Sequence, residues 1–172
     1  MQSQDKFSAD QQEDHVTGRY LTFFIDKQLF GIPVGDVVQI VGIQKTTQLP
    51  EHPDYIKGII NLRGQIIPVI DIRLRLGKPE AIYTDRTCII ITHIEESDFG
   101  LIVDEVDEVI DIAPSLVSPP PRIKSEKESS FLEGVARLNS GNSSMERVAL
   151  LIHPATILCA DEVQALAQIS QI

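Results

Sequence analysis

The sequence predicts a mainly β protein built as two small antiparallel barrels, on three observations. First, the chain repeats itself. Phe30-Gly31-Ile32-Pro33-Val34-Gly35-Asp36-Val37-Val38-Gln39-Ile40-Val41 aligns without a gap on Phe99-Gly100-Leu101-Ile102-Val103-Asp104-Glu105-Val106-Asp107-Glu108-Val109-Ile110, a displacement of 69 residues. Self-similarity of this kind constrains architecture more than any single motif. Second, short runs of β-branched and aromatic residues recur along the chain, each closed by turn residues. Third, no helical pattern alternates with them, which disfavours a βα sheet. A half of about 60 to 70 residues is marginal alone, so the two halves must share an apolar seam, and that seam is the natural binding groove. Coincidental strand periodicity is the competing account of the repeat, and a Phe-Gly pair inside two matching apolar frames weighs against it.

The elements follow in order. Residues 1–17 are polar, with Gln2, Gln4, Gln11 and Gln12 among Asp5, Asp10, Glu13 and Asp14, and are expected to be a disordered tail. A single domain of two pseudo-repeated lobes is expected over 18–168, with 169–172 frayed. Tyr20 to Asp26 and Leu29 to Pro33 read as a hairpin around Asp26-Lys27-Gln28, which Pro33 and Gly35 then stop. Thr87 to Ile94 and Phe99 to Asp104 repeat it around Glu95-Glu96-Ser97-Asp98. Each half then adds a second hairpin: Ile59 to Leu62 with Ile66 to Ile72 around Arg63-Gly64-Gln65, and Val135 to Leu138 with Arg147 to Ile152 around a loop from Asn139 to Ser144. Arg73 to Leu76 before Gly77 reads as a brief helical turn. The stretch Val117 to Ser130, with Pro119, Pro120 and Pro121, reads as a loop. Pro154 to Ala167 reads as a terminal helix started by its proline.

Composition narrows the function classes. Across 172 residues, 42% hydrophobic content is too apolar for general disorder. Fifteen Lys and Arg against 25 Asp and Glu give a net charge of −10, which disfavours nucleic acid and anionic lipid as partners. Proteins or neutral surfaces remain, and solubility alone is the simpler account of the charge. Cys88 and Cys159 lie in apolar runs and read as reduced core thiols. No apolar run nears the ~20 residues that span a bilayer, and the first residues carry no signal segment, so a cytosolic protein is expected.

Catalysis is hard to assemble from these residues. Cys88 and His93 are separated by five residues of one strand, so their side chains leave opposite faces about 16 Å apart. His15, His52, His93 and His153 show no ligand spacing, and neither cysteine belongs to a Cys-x-x-Cys pair, so no metal site is expected. No phosphate-binding glycine loop occurs, and no cofactor is implied. Asp104, Glu105, Asp107 and Glu108 alternate between two strand faces and read as solvated charge rather than a cation site. Asn142-Ser143-Ser144 fits a glycosylation acceptor but reads as a turn. Arg63 stands out within Lys57-Gly58-Ile59-Ile60-Asn61-Leu62-Arg63-Gly64-Gln65-Ile66-Ile67-Pro68-Val69-Ile70-Asp71. It interrupts a run apolar enough for burial, so its guanidinium must reach a carboxylate or a partner, or else cap the hairpin and snorkel to water.

Gly58-Ile59-Ile60-Asn61-Leu62-Arg63-Gly64, followed by Ile67-Pro68-Val69-Ile70-Asp71-Ile72-Arg73, resembles the CheW family of bacterial chemotaxis coupling proteins. Phe30-Gly31-Ile32 with Val37 to Ile40, and Phe99 to Asp104 with Val106, carry the likeness further, over roughly Arg19 to Leu166. The resemblance implies two SH3-like five-stranded barrels around a shared core. It implies a non-catalytic cytoplasmic scaffold, recruited to receptor arrays, that joins the regulatory domain of the histidine kinase CheA to the cytoplasmic tip of methyl-accepting receptors. It implies a receptor groove with Val37, Arg63 and Val106, with Cys88 at a small apolar groove position. Gln39 stands where similar proteins often carry glutamate, so its contact with Arg63 becomes at best a neutral hydrogen bond, worth about 1 kcal/mol. By the same resemblance the kinase surface is assigned to Ile32, Val34, Ile40 and Gly58. Rings formed with CheA are implied as well. Three other readings stay open: a coupling protein of a related pathway such as type IV pilus motility, a small hydrolase, and a detached regulatory domain of a kinase. Against the last, no adjoining nucleotide-binding sequence follows, and the tail at Met1 suggests a free-standing chain.

Overall fold

Several predicted strands are apolar on both faces, and such a strand has to be covered twice. The computed structural model, which describes residues 18–120, 131–139 and 146–170, covers them with two sheets. In the first half, β1 (Arg19–Ile25) and β2 (Gln28–Pro33) form a hairpin, β3 (Val37–Gly42) follows, and β4 (Ile56–Leu62) pairs with β5 (Gln65–Asp71). In the second half, β6 (Cys88–Ile94) and β7 (Ser97–Val103) form the matching hairpin and β8 (Glu105–Asp111) follows. A short β9 (Val117–Ser118) then precedes the hairpin of β10 (Leu132–Asn139) and β11 (Glu146–Ile152). Two helices complete the description, α1 (Ile72–Arg75) and α2 (Ala160–Ile169). The expected tail, the end of the proline loop from Pro121 onward, and most of the turn after Asn139 lie outside the described residues.

One sheet has six strands in the order β8-β1-β2-β11-β10-β9, and the other five in the order β3-β6-β7-β5-β4. The halves therefore trade strands. β3 leaves its own hairpin to pair with β6, and β8 leaves its own to pair with β1. The first hairpin sits among strands of the second half, and the second hairpin among strands of the first. Two pairings are parallel, β5 with β7 and β11 with β2, where only antiparallel ones were expected. Parallel neighbours need a long crossover rather than a tight turn, so no local hairpin pattern announces them.

Three apolar clusters follow from the strand alternation. Ile60, Ile67, Val69, Ile89, Ile91 and Ile102 fill the five-stranded sheet's own side, and Leu29, Ile112, Ala136, Ala149 and Leu151 fill the six-stranded sheet's. The largest cluster lies between them, with Leu21, Phe23, Ile25, Phe30 and Ile32 from one hairpin and Ile90, Ile94, Phe99, Leu101 and Val103 from the other. The repeat is thus a record of the seam: Leu21 matches Ile90, Ile25 matches Ile94, and Phe30 matches Phe99. Phe23 stacks on Phe30 with ring centroids 5.9 Å apart. The glycine after each Phe faces the opposite side, where a methyl group on Gly100 would stand 2.7 Å from Ile89 Cγ2 and one on Gly31 3.0 Å from Leu151.

Pro154 starts only a 3-10 turn, Pro154–Thr156, and the expected helix begins later, at Ala160. The reason is local: the Cys159 amide donates to Glu162 Oε1 at 3.1 Å, which fixes the helix start, and Asp161 and Glu162 suit its first turn. Cys159 is accordingly exposed at a helix cap, a correction to its reading as a core thiol. The helix runs through Ile169, inside the segment expected to fray, and buries Val163 and Leu166 on the seam.

Polar contacts seat α2. The Tyr55 hydroxyl donates to Glu162, and the Arg75 guanidinium lies 4.8 Å from the Tyr55 ring centre and 4.4 Å from that of Phe131 while donating to the Ile157 carbonyl. Burial, then the bond to Glu162, pushes the Tyr55 phenol up to about 12. Burial opposes ionisation of Glu162, but the bonds from Tyr55 and the Cys159 amide prevail and hold its carboxyl below the usual range. Tyr83 is raised by burial and by its bond to Asp71, and Tyr20 by burial and by Glu133. An alkaline titration of phenolate absorbance is therefore expected to show no step at the ordinary value of 10.0. A folded-state value raised above the unfolded one stabilises fully below pH 10 and loses that contribution as pH climbs through about 12. A single tyrosine ionising normally in the folded chain would contradict this arrangement.

Candidate functional site

The two crossing strands carry the predicted groove residues. Val37 pairs with Thr92 at one end of β6, and its repeat mate Val106 pairs with Phe23 on β1. Val37, Val106 and Cys88 are all half-buried and pack against the shared cluster from its edge. Burial pushes the Cys88 thiol up, the Val106 amide opposes that rise and Glu105 adds to it. A thiol raised in this way is a poorer nucleophile than a free one. Cys88 opens β6 opposite Gly42, so about 13 Å of strand separates it from the Val37 end. Two to three turns of a helix cover that length at about 5.4 Å per turn.

Arg63 belongs to the Val37 end. It stands exposed at the tip of β4–β5, where Leu62 pairs with Gln65 and leaves Arg63-Gly64 as a two-residue turn. Both turn residues have positive φ, 54° and 88°, and Asn61 Oδ1 accepts from the Gly64 amide at 2.8 Å. Gln65 Nε2 donates to Asp98 at 3.0 Å and ties the tip to β7, whose first turn adjoins the Thr92 end of β6. Among the described residues no carboxylate forms an ion pair with Arg63, and no hydrogen bond joins it to Gln39. Gln39 faces solvent beyond a bulge between Val37 and Gln39.

The residues expected on a kinase surface divide by burial. Ile32 is fully buried in the seam, and Gly58 is buried against Thr47, so neither offers a side chain to a partner. Ile40 is 44% exposed on β3, and Val34 is half-buried in the 3-10 turn leading into it. Sequence reasoning missed Val38 and Val109, which are also exposed. Val109 is the repeat mate of Ile40, so the 69-residue displacement itself was the signal.

The acidic residues from Asp104 to Glu108 are surface charges, as expected, and each also pairs with an arginine. Asp104 meets Arg73, Glu105 meets Arg86, and Asp107 and Glu108 both meet Arg147. Asp107 also accepts from the buried Thr22 hydroxyl at 3.1 Å. His93 leaves the strand on the solvent side and contacts Asp98 at 2.7 Å, away from Cys88. Among the described residues no three His, Cys, Asp or Glu side chains gather to hold a metal ion.

The CheW-like domain family matches residues 19–162 of this chain. The probable chemotaxis protein CheW of Rhizobium etli is 34% identical over 119 residues, which is 69% of this chain and 77% of that protein. Protein PilI of Pseudomonas aeruginosa is 31% identical over 97 residues, 56% of this chain and 54% of that one. The crystal structure of the scaffolding protein TtCheW from Thermoanaerobacter tengcongensis matches with a TM-score of 0.73 and 34% identity, covering 82% of this chain and 92% of the other.

Proposed function

The chain belongs to the CheW family and is a chemotaxis adaptor, and from that premise we propose that it joins the cytoplasmic tip of methyl-accepting receptors to the regulatory domain of CheA and catalyses nothing itself. It acts as one domain over 18–168, in the cytoplasm, recruited to receptor arrays. Among the described residues no helix is long and apolar enough to cross a membrane. The observation that carries this reading is the half-buried apolar line of Val37, Cys88 and Val106 along the seam, with the cationic Arg63 at one end. A helix is recognised by a few apolar anchors and fewer polar ones, and these residues supply both. The kinase surface of this reading is β3, through Ile40 and Val34, while Ile32 and Gly58 stay buried away from it.

Reconstitution with a kinase and a receptor fragment tests the reading through autophosphorylation. Addition of the protein is expected to couple kinase output to receptor. Arg63→Ala is expected to weaken receptor binding about tenfold, equivalent to about 1.4 kcal/mol, with an unchanged melting temperature. Parallel loss of both would assign Arg63 to the fold instead. The match to Protein PilI keeps a second pathway in view, a related system such as type IV pilus motility. Absence of any kinase response with every component folded would favour it.

A further inference from the structure

We propose that Arg73 is a positioning residue for the groove, acting through Asp104 on the Val106–Cys88 wall; the part that concerns receptors rests on the reading above. Arg73 follows β5 on α1, and its side chain is only 16% exposed. Its guanidinium grips Asp104 with two bonds, Nη2 to Oδ2 at 3.1 Å and Nε to Oδ1 at 3.4 Å. Nη2 also donates to Asp26 Oδ1 at 3.3 Å, and Nη1 to the Pro79 carbonyl at 3.3 Å. Asp104 occupies the step at which the chain leaves β7 in one sheet and enters β8 in the other. Its carboxylate accepts from the Asp26 amide at 2.8 Å and its own amide donates to the Phe24 carbonyl, so it is also bound to the β1–β2 turn.

One guanidinium therefore holds both sheets and α1 at a single node, two residues before Val106. A planar fork with this many acceptors fixes direction as well as distance, which an ammonium cannot do. Cys88 pairs with Val103, the residue before that node, and Val106 lies two residues after it. Among the described residues the first crossing has no such ion pair, and Gly35 stands at the repeat position of Asp104.

The test uses the full chain with Cys159→Ser, so that alkylation reports on Cys88 alone. Arg73→Met is expected to raise the Cys88 alkylation rate about tenfold and to shift the Val106 amide resonance, while Arg73→Lys recovers only part of both. Receptor-fragment affinity should fall about tenfold while kinase-fragment affinity is kept. An unchanged Cys88 rate and an unmoved Val106 resonance overturn the proposal. A moved Val106 with full receptor affinity upholds the positioning role and removes the groove from the functional reading. Where Arg73→Met does not fold, Asp26→Asn, which loosens the same node from one side, is read by the same two signals.

Discussion

Cleaved between Ala81 and Ile82 and separated, the chain is expected to yield two halves that are unfolded apart and fold when mixed. Ile82 is 93% exposed, so the break itself costs no buried contact. Apart, the first half keeps β3 without β6 and β5 without β7, and the second keeps β8 without β1 and β11 without β2. Each also loses the partners of its seam residues, and a buried Leu, Ile or Phe contributes about 1.5 to 3 kcal/mol. A handful of these exceeds the total stability of a typical domain, about 5–15 kcal/mol. Circular dichroism of each fragment, then of the equimolar mixture, measures the outcome. A cooperative melt from either half alone would show that its sheet closes without the other.

The second large effect concerns two glycines that flank Arg63 in sequence. Gly58→Ala is expected to destabilise the fold by about 3 kcal/mol or more, and Gly64→Ala by about 1 kcal/mol. Gly58 has φ 128° and lies under the isolated bridge between Thr47 and Ile59, where an added Cβ would stand 2.1 Å from the Thr47 carbonyl oxygen. Strain and a backbone clash act together there. Gly64 has φ 88° but opens on empty space, so only the strain remains. Chemical denaturation of both variants separates the two terms. Equal losses would mean that the approach of Thr47 is not what fixes Gly58.

The hairpins were legible because their signals are local: alternating apolar residues and turn residues at Asp26-Lys27 and Arg63-Gly64. The seam was legible through the repeat, since matching positions bury matching side chains. What local patterns do not carry is which hairpin a third strand joins. β3 and β8 each follow a hairpin in sequence and pair with a different one, and only long-range packing decides that. The same limit hid the ion pairs of β8, because Arg73, Arg86 and Arg147 lie far from it in sequence. Arg73 ends the Ile67–Arg73 run, yet nothing near it in the chain announces Asp26 or Asp104 as acceptors. The groove set came from the family likeness alone, and which ends of the strands its members occupy had to come from the structure. That Arg63 shares an end with Val37 while Cys88 shares the other with Val106 came only from strand register.

The left-handed backbone at Arg63 has a consequence for timing. A side chain rooted in a two-residue turn, braced by Asn61 and Gln65, has its direction of departure settled before any partner arrives. On the proposed reading, docking immobilises only the outer torsions, a cost of about 0.5–1.5 kcal/mol, and leaves the peptide beneath unchanged. If Arg63 meets a receptor helix as proposed, recognition at that tip is prepared during folding, and selection among incoming helices falls to their shape and charge.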